Sequence, residues 1–361
     1  MNLRPHMMPT YAAPSVAFVA GSGTVLVDAD GKEYLDFLCG LAVTSLGHAR
    51  PEVAEAIAAQ AATLSHVSNL FANPVANEAA LKLARRHRPG RSTYVTLVDS
   101  FHGRTMFTLA ATGQLEKQAP FVPLPERFVH VELGDLAAIE AELATGEVAA
   151  VMVEGIQAEG GIMVPERGFL PAVAAACAAT GTLLIFDEVQ TGLGRTGQWF
   201  SFEDEGVIPD IVTMAKALGN GTPVGACWAA AEVASSFQPG DHGSTFGGQP
   251  LAMAAAKATL MTMIEIDAPS AASAASTQLR SGLLDLPGVA AVRGRGLLLG
   301  AVLEEPVARE AVAAALSEGL VVNAVRPDVI RLTPPLTVSP QEISEALHRL
   351  RTALVSTLGA D

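Results

Sequence analysis

Leu183-Leu184-Ile185-Phe186-Asp187-Glu188-Val189-Gln190-Thr191-Gly192 carries the reading of the fold. Four apolar residues in a row, with no polar alternation, describe a strand covered on both faces. Such strands belong to parallel sheets with helices on either side. The residues just before them supply the cover. Residues 168–186 hold no charge over 19 positions, a length that could nominate a membrane span. Pro171 and the break Thr180-Gly181-Thr182 divide that run into an alanine-rich helix and the strand. The stretch therefore reads as a buried helix–strand pair of a soluble protein.

The same alternation continues in both directions. Strands are expected at 94–98, 128–131, 149–153, 211–214 and 224–229, with helices at 136–143 and 251–264 among them. This pattern describes an α/β domain with a mainly parallel sheet. From about residue 283 the units shorten. Strands at 289–292, 297–302, 320–323 and 329–332, with helices at 307–316 and 340–354, make a small α+β domain. Strand-like pieces at 24–28 and 34–37 precede a helix at 51–63. The expected division is a segment 1–50 packing with the small domain, a large domain over 51–270, and the small domain over 271–361.

Composition excludes several classes. Of the 361 residues, 50% are hydrophobic and 17% charged, so the chain has ample apolar surface to offset the entropy of ordering and is not disordered. A net charge of −14 argues against a general binder of phosphate backbones. Aromatics at 5% argue against a stacking platform for single-stranded nucleic acid. Cys39, Cys177 and Cys227 stand far apart, which fits neither a disulfide framework nor a CxxC metal site and points to a reducing cytoplasm. The opening MNLRPHMMPT has no apolar core of a signal peptide. Neither a nucleic-acid partner nor a membrane is expected.

In a parallel sheet, chemistry collects at the carboxyl ends of strands. Asp187 stands at such an end, either as a cap for the next turn or as a carboxylate held against a cationic ligand. Lys216 stands at another, between an apolar strand and the turn Gly219-Asn220-Gly221. A desolvated lysine has a lowered pKa and can condense with an aldehyde, whereas a surface lysine would only snorkel. Phe101-His102-Gly103-Arg104-Thr105 puts an aromatic ring, an imidazole and a guanidinium at a third strand end. Ser244 and Thr245, in a glycine-rich turn before a helix, could cradle a phosphate. Gly192-Leu193-Gly194-Arg195-Thr196-Gly197 matches GxGxxG in letters but neither leaves a strand directly nor opens a helix, so a dinucleotide site is not expected. No histidine pair has metal-ligand spacing and no GxSxG occurs.

Taken together and in order, GIQAEGG (155–161), LLIFDEVQTGLGRTG (183–197), MAKALGNG (214–221) and GSTFGG (243–248) resemble the class III, fold-type I aminotransferases that use pyridoxal 5′-phosphate (PLP). LCGLAVTSLGH (38–48), SNLFANP (68–74), FHGRT (101–105) and VIRLTPPL (329–336) look most like the acetylornithine aminotransferase branch. The resemblance implies that Lys216 carries the cofactor and moves the proton, and that Asp187 pairs with its pyridine nitrogen. It implies Gln190 on the phenolate oxygen, Phe101 stacked on the ring, and Thr245 of a neighbouring subunit on the phosphate, in a homodimer with a shared active site. Arg331 would hold the α-carboxylate of 2-oxoglutarate or glutamate, with Glu159 masking it between substrates. Arg104 would take the distant carboxylate of acetylornithine, with Ser244 also on the substrate side, and Glu154 would support Asp187.

Two departures stand out. Gly155 replaces the family's usual proline, a change expected to be tolerated. More seriously, Pro74 runs through Val75-Ala76 straight into Asn77, where the family has a Ser-Gly-(Ala/Thr)-Glu-Ala turn for the PLP phosphate. Either the deletion is real or a segment is absent from the chain as written. The expected reaction moves the δ-amino group of N2-acetylornithine to 2-oxoglutarate in arginine biosynthesis. Succinyl-diaminopimelate, ornithine or 4-aminobutyrate are alternative donors, and a non-catalytic dimer of the same fold is the rival from another class.

Overall fold

A computed structural model of the chain describes residues 15–64, 76–125, 127–244 and 247–359. Its centre is a six-stranded sheet of β4 (Thr93–Leu97), β5 (Phe128–Val131), β6 (Val148–Val153), β7 (Leu183–Asp187), β8 (Ile211–Met214) and β9 (Ala226–Ala229), in the order β5-β4-β6-β7-β8-β9. Before it in the chain come β1 (Phe18–Ser22), β2 (Val25–Asp28) and β3 (Glu33–Asp36). The pairings from β5 across to β8 are parallel.

The apolar runs dictate this sheet because both of its faces are covered. Along β6, Val151 and Val153 pack on one side with the helices Leu136–Ala144 and Phe169–Thr180, while Ala150 and Met152 pack on the other with the helix Ala76–His87. In β7, Leu184 and Phe186 face the first cluster, and Leu183 and Ile185 the second. The period of two is intact over Leu183–Phe186 although all four residues are apolar, and in β6 it holds from Ala150 onward, after a register shift against β4 at Val148–Ala150. The break at Thr180-Gly181-Thr182 is a helix C-cap, with Gly181 left-handed at φ 63° and Thr182 N donating to Cys177 O at 2.9 Å.

Some expectations need correction. The last strand of the large sheet, β9, runs antiparallel to β8. Its edge position removes the need for a crossover, a constraint invisible in the run itself. The expected strand 320–323 is two strands: β12 (Leu320–Val321) pairs in parallel with β3, whereas β13 (Asn323–Arg326) joins β14 (Val329–Leu332). With β10 (Val289–Arg295) and β11 (Leu298–Leu303), the latter pair forms a four-stranded sheet, β10-β11-β14-β13. The strand β1 and the helix Ala268–Leu284 were not anticipated. That helix is built largely from Ala and Ser, so its apolar stripe is faint.

One residue seams these parts. Arg195 is fully buried; its Nη1 donates to Leu297 O (3.1 Å) and Pro334 O (2.5 Å), and its Nη2 to Ser45 Oγ (2.8 Å). It thus ties the turn after β7 to the β10–β11 connection, to the segment after β14, and to the N-terminal segment. No carboxylate pairs with it among the described residues, and burial pushes its pKa down to about 10. In Arg195→Met, relief of that buried charge offsets part of the loss, but acceptors on three segments are stranded, at about 1–3 kcal/mol each. We expect a net loss of about 2 kcal/mol or more, read as a lower denaturant midpoint; an unchanged midpoint would contradict the seam.

Candidate active site

The carboxyl ends of β4, β6, β7 and β8 open onto a cavity of about 480 Å³ lined by Phe101, Arg104, Asp187, Gln190, Lys216 and Ser244, among others. Adjacent parallel strands explain the convergence. Asp187 pairs in register with Thr213, and Lys216 follows three residues on. Lys216 opens a 3-10 turn with φ at 39°, a left-handed value that costs energy in a side chain of this size. Asn220 closes the turn and pins it by accepting from Leu46 N (2.8 Å) and donating to Gly47 O (3.1 Å). Burial pushes the Lys216 ammonium pKa down, Glu159 opposes this, and Arg331 adds to it.

Asp187 makes the local turn contact of the first reading and also lines the cavity. Its Oδ1 accepts from Val189 N at 3.1 Å, a local turn contact. Its Oδ2 accepts from Asn77 Nδ2 at 2.8 Å and is 2.9 Å from His102 Nδ1. Three donors thus orient a carboxylate that lines the cavity. Asn77 and His102 had no role in the expected site. The imidazole at the strand end was a visible signal; Asn77 gave none beyond starting a helix.

Glu154 does not touch Asp187, contrary to the expected support. It accepts from Phe101 N (3.1 Å) and Ala158 N (3.4 Å), so it fixes the aromatic residue and its own turn. The nearby Asp187 charge adds to the rise that burial imposes on Glu154. Gly155 has a structural reason: a Cβ there would lie 2.1 Å from Ser201 Oγ. That hydroxyl donates to Glu188 Oε1 at 2.5 Å.

On the substrate side, Arg331 reaches from β14 as a fully buried guanidinium. Its Nη1 is 2.5 Å from Glu159 Oε1 and donates to Gln190 Oε1 at 3.0 Å. Gln190 Nε2 in turn donates to Glu159 Oε1 at 3.4 Å. Burial alone would raise Glu159, yet the Arg331 charge and hydrogen bond hold its carboxyl below the usual range. Arg331 Nη2 is buried and has no partner among the described residues. Arg104 is exposed at the cavity, 5.6 Å from the Phe101 ring centroid. Thr245 and the junction Pro74-Val75 lie outside the described residues, so the expected phosphate contacts and the missing turn do too.

Glu154 and Glu188 are each pushed up to about 7, burial being the main cause. In the folded chain both hold their protons above 4.5, the ordinary value at which the unfolded chain loses them. The native state therefore binds more protons between those values, and stability falls as pH rises through that window. Denaturant titrations of the cofactor-free protein should show this slope, and Glu154→Gln should make it shallower. A slope of the opposite sign would refute the burial argument.

The chain is similar to known proteins over nearly its whole length. The family model Aminotransferase class-III matches residues 7–75 and 70–354. The chain is 44% identical over 386 residues to the acetylornithine aminotransferase of Corynebacterium efficiens, covering 96% of this chain and 94% of that one. Against that of Streptomyces coelicolor it is 46% identical over 373 residues, covering 95% and 92%. Among solved structures, N-acetylornithine aminotransferase from Stenotrophomonas maltophilia K279a superposes with a TM-score of 0.82 at 32% identity, covering 97% of this chain and 98% of that one. Ornithine aminotransferase from Toxoplasma gondii ME49 gives 0.93 at 30% identity, covering 99% and 94%. With the family model spanning most of the chain and these relatives covering nearly all of it, the chain belongs to the class-III aminotransferases.

Proposed function

We propose that the protein is a PLP-dependent aminotransferase that moves the δ-amino group of N2-acetylornithine to 2-oxoglutarate, within arginine biosynthesis. One observation carries this reading: a single cavity joins a desolvated lysine and an oriented carboxylate to the open Arg104 and to Glu159, which pairs with the buried Arg331 behind it. Relatives 44–46% identical over nearly the whole chain bear the acetylornithine aminotransferase name. Among the described residues no helix is long and apolar enough to cross a membrane. We further propose a cytoplasmic homodimer with Thr245 supplied across its interface.

The residues present fit the ring end of PLP. Phe101 is held by Glu154, Asp187 is fixed by three donors, and Lys216 lies within the same cavity. When bound, PLP supplies an electron sink for the pair left by proton removal. Lys216, kept toward the neutral amine by burial, takes the proton from the substrate carbon and returns it. Asp187 would hold the pyridine N–H, and Gln190, which bridges Glu159 and Arg331, would hold the phenolate. A 2-oxo acid whose carboxylate takes the place of Glu159 keeps Arg331 neutralised. Arg104 meets the far carboxylate of the amine donor.

Two findings support a missing internal segment. The family match breaks into two stretches at 70–75, and the aligned spans of 386 and 373 residues exceed the 361 of the chain. The missing turn is also the observation that favours the rival reading, a non-catalytic dimer. Colour decides between them: an active protein takes up PLP, absorbs in the near-visible range, and retains the cofactor on Lys216 after borohydride reduction. A colourless protein that borohydride cannot label would be the scaffold.

Lys216→Ala should abolish transamination with the fold intact by circular dichroism; ordinary turnover would remove this lysine from the mechanism. Arg331→Ala should impair the half-reaction with 2-oxoglutarate by about 2–5 kcal/mol, the cost of losing a buried charge-assisted pair. Arg104→Ala should weaken acetylornithine use more than use of putrescine, an ω-amine with no carboxylate. Equal losses for both donors would show the assignment to be wrong.

A further inference from the structure

A second cation stands beside Arg104. Lys117 Nζ lies 5.7 Å from the Phe101 ring centroid, and the Arg104 guanidinium carbon lies 5.6 Å from the same point. Two positive groups therefore share one aromatic ring at the edge of the cavity. Neither forms an ion pair or hydrogen bond among the described residues. The carboxylates that could neutralise them are committed elsewhere: Glu159 to Arg331 and Asp99 to Arg326. Glu116, next in sequence, is exposed.

The placement of Lys117 is built. It sits on the short helix Leu115–Gln118, clamped by a glutamine on either side. Gln114 Nε2 donates to Asp99 O at 3.1 Å, and Gln118 Nε2 donates to Thr112 O at 2.7 Å. Lys117 is half-buried, and burial pulls its ammonium pKa down; Glu159 and Glu116 oppose this, whereas Arg104 and Arg326 add to it. The Arg104 charge is felt at Lys117, where it adds to the fall of the ammonium pKa, and an anion reaching both cations would relieve that repulsion.

We propose that Lys117 is a specificity-determining residue, forming with Arg104 a two-cation subsite for the carboxylate at the far end of the amine donor. This rests on the function proposed above, which gives that carboxylate to Arg104 alone. Arg104 offers a planar fork and Lys117 a point charge, so a carboxylate can be gripped by the first and neutralised by both. An amine without that group gains nothing from either cation. The chemical class selected is an ω-amine with a carboxylate at the opposite end.

The test separates binding from turnover. N-acetylnorvaline has the skeleton of acetylornithine without the reacting amine, and its carboxamide lacks the charge. Calorimetry with the holoenzyme should show Lys117→Gln weakening N-acetylnorvaline about tenfold, the scale of one charge-assisted contact. Lys117→Arg should stay near the wild type, and neither variant should change binding of the carboxamide. In turnover, Lys117→Gln should raise KM for acetylornithine with little change in kcat. Equal effects on carboxylate and carboxamide, or wild-type affinity in Lys117→Gln, would overturn the subsite. If wild-type protein fails to use acetylornithine, the proposed function falls, while the carboxylate-against-carboxamide comparison still decides the role of Lys117.

Discussion

An ionised carboxylate removed from water is costly unless donors surround it, and Asp187 shows how the site meets that condition. Its three donors come from three parts of the chain: its own turn, the end of β4, and the start of the helix Ala76–His87. Those donors are themselves held, since His102 N donates to Thr112 Oγ1 and Asn77 Nδ2 also donates to His102 O. One anion therefore locks two strand ends and a helix start into a single arrangement. The Lys216 turn belongs to the neighbouring strand, so its distance from that anion is set by sheet register.

A second economy governs the substrate side. Arg331 is buried without water, and its charge is tolerable because Glu159 stays ionised beside it. Gln190 contacts both partners, which couples the ion pair to a residue lining the cofactor cavity. On the proposed function, exchange of Glu159 for a substrate carboxylate would conserve charge at Arg331, so alternation between two substrates would need no unpaired buried guanidinium. The Nη2 without a partner among the described residues would then receive a second oxygen.

The parallel sheet was legible because full burial of both faces forces continuous apolar runs, and strands such as 128–131 and 211–214 end where expected. Lys216, Asp187 and Phe101 were legible as types at strand ends, Gln190 only through the family resemblance, and the register of β7 and β8 brings the first two together. What stayed hidden depends on partners rather than on the segment. The direction of β9 is set by its edge position, and the split at Val322 arises because two different sheets claim its flanks. Asn77 and His102 matter through contacts with a residue more than eighty positions away. Glu154 accepts from the amides of Phe101 and Ala158, and nothing in its own segment announces which backbone amides a carboxylate will find.

The two departures from the family differ in what they leave behind. At Gly155 the space of a side chain is filled by Ser201, whose hydroxyl and amide both serve Glu188, so the loss is compensated where it occurs. The missing turn is different, yet the ring end of the cavity does not depend on it. Asn77 begins the helix after the gap and still reaches Asp187, and Lys216 is pinned from the N-terminal segment through Asn220. Cofactor positioning and cofactor retention thus rest on separable parts of the structure. A weaker grip on the phosphate would let PLP dissociate more readily while leaving the geometry of Lys216 and Asp187 unchanged. The chemistry would survive in any molecule that holds its cofactor, and the penalty would fall on the fraction of molecules that do.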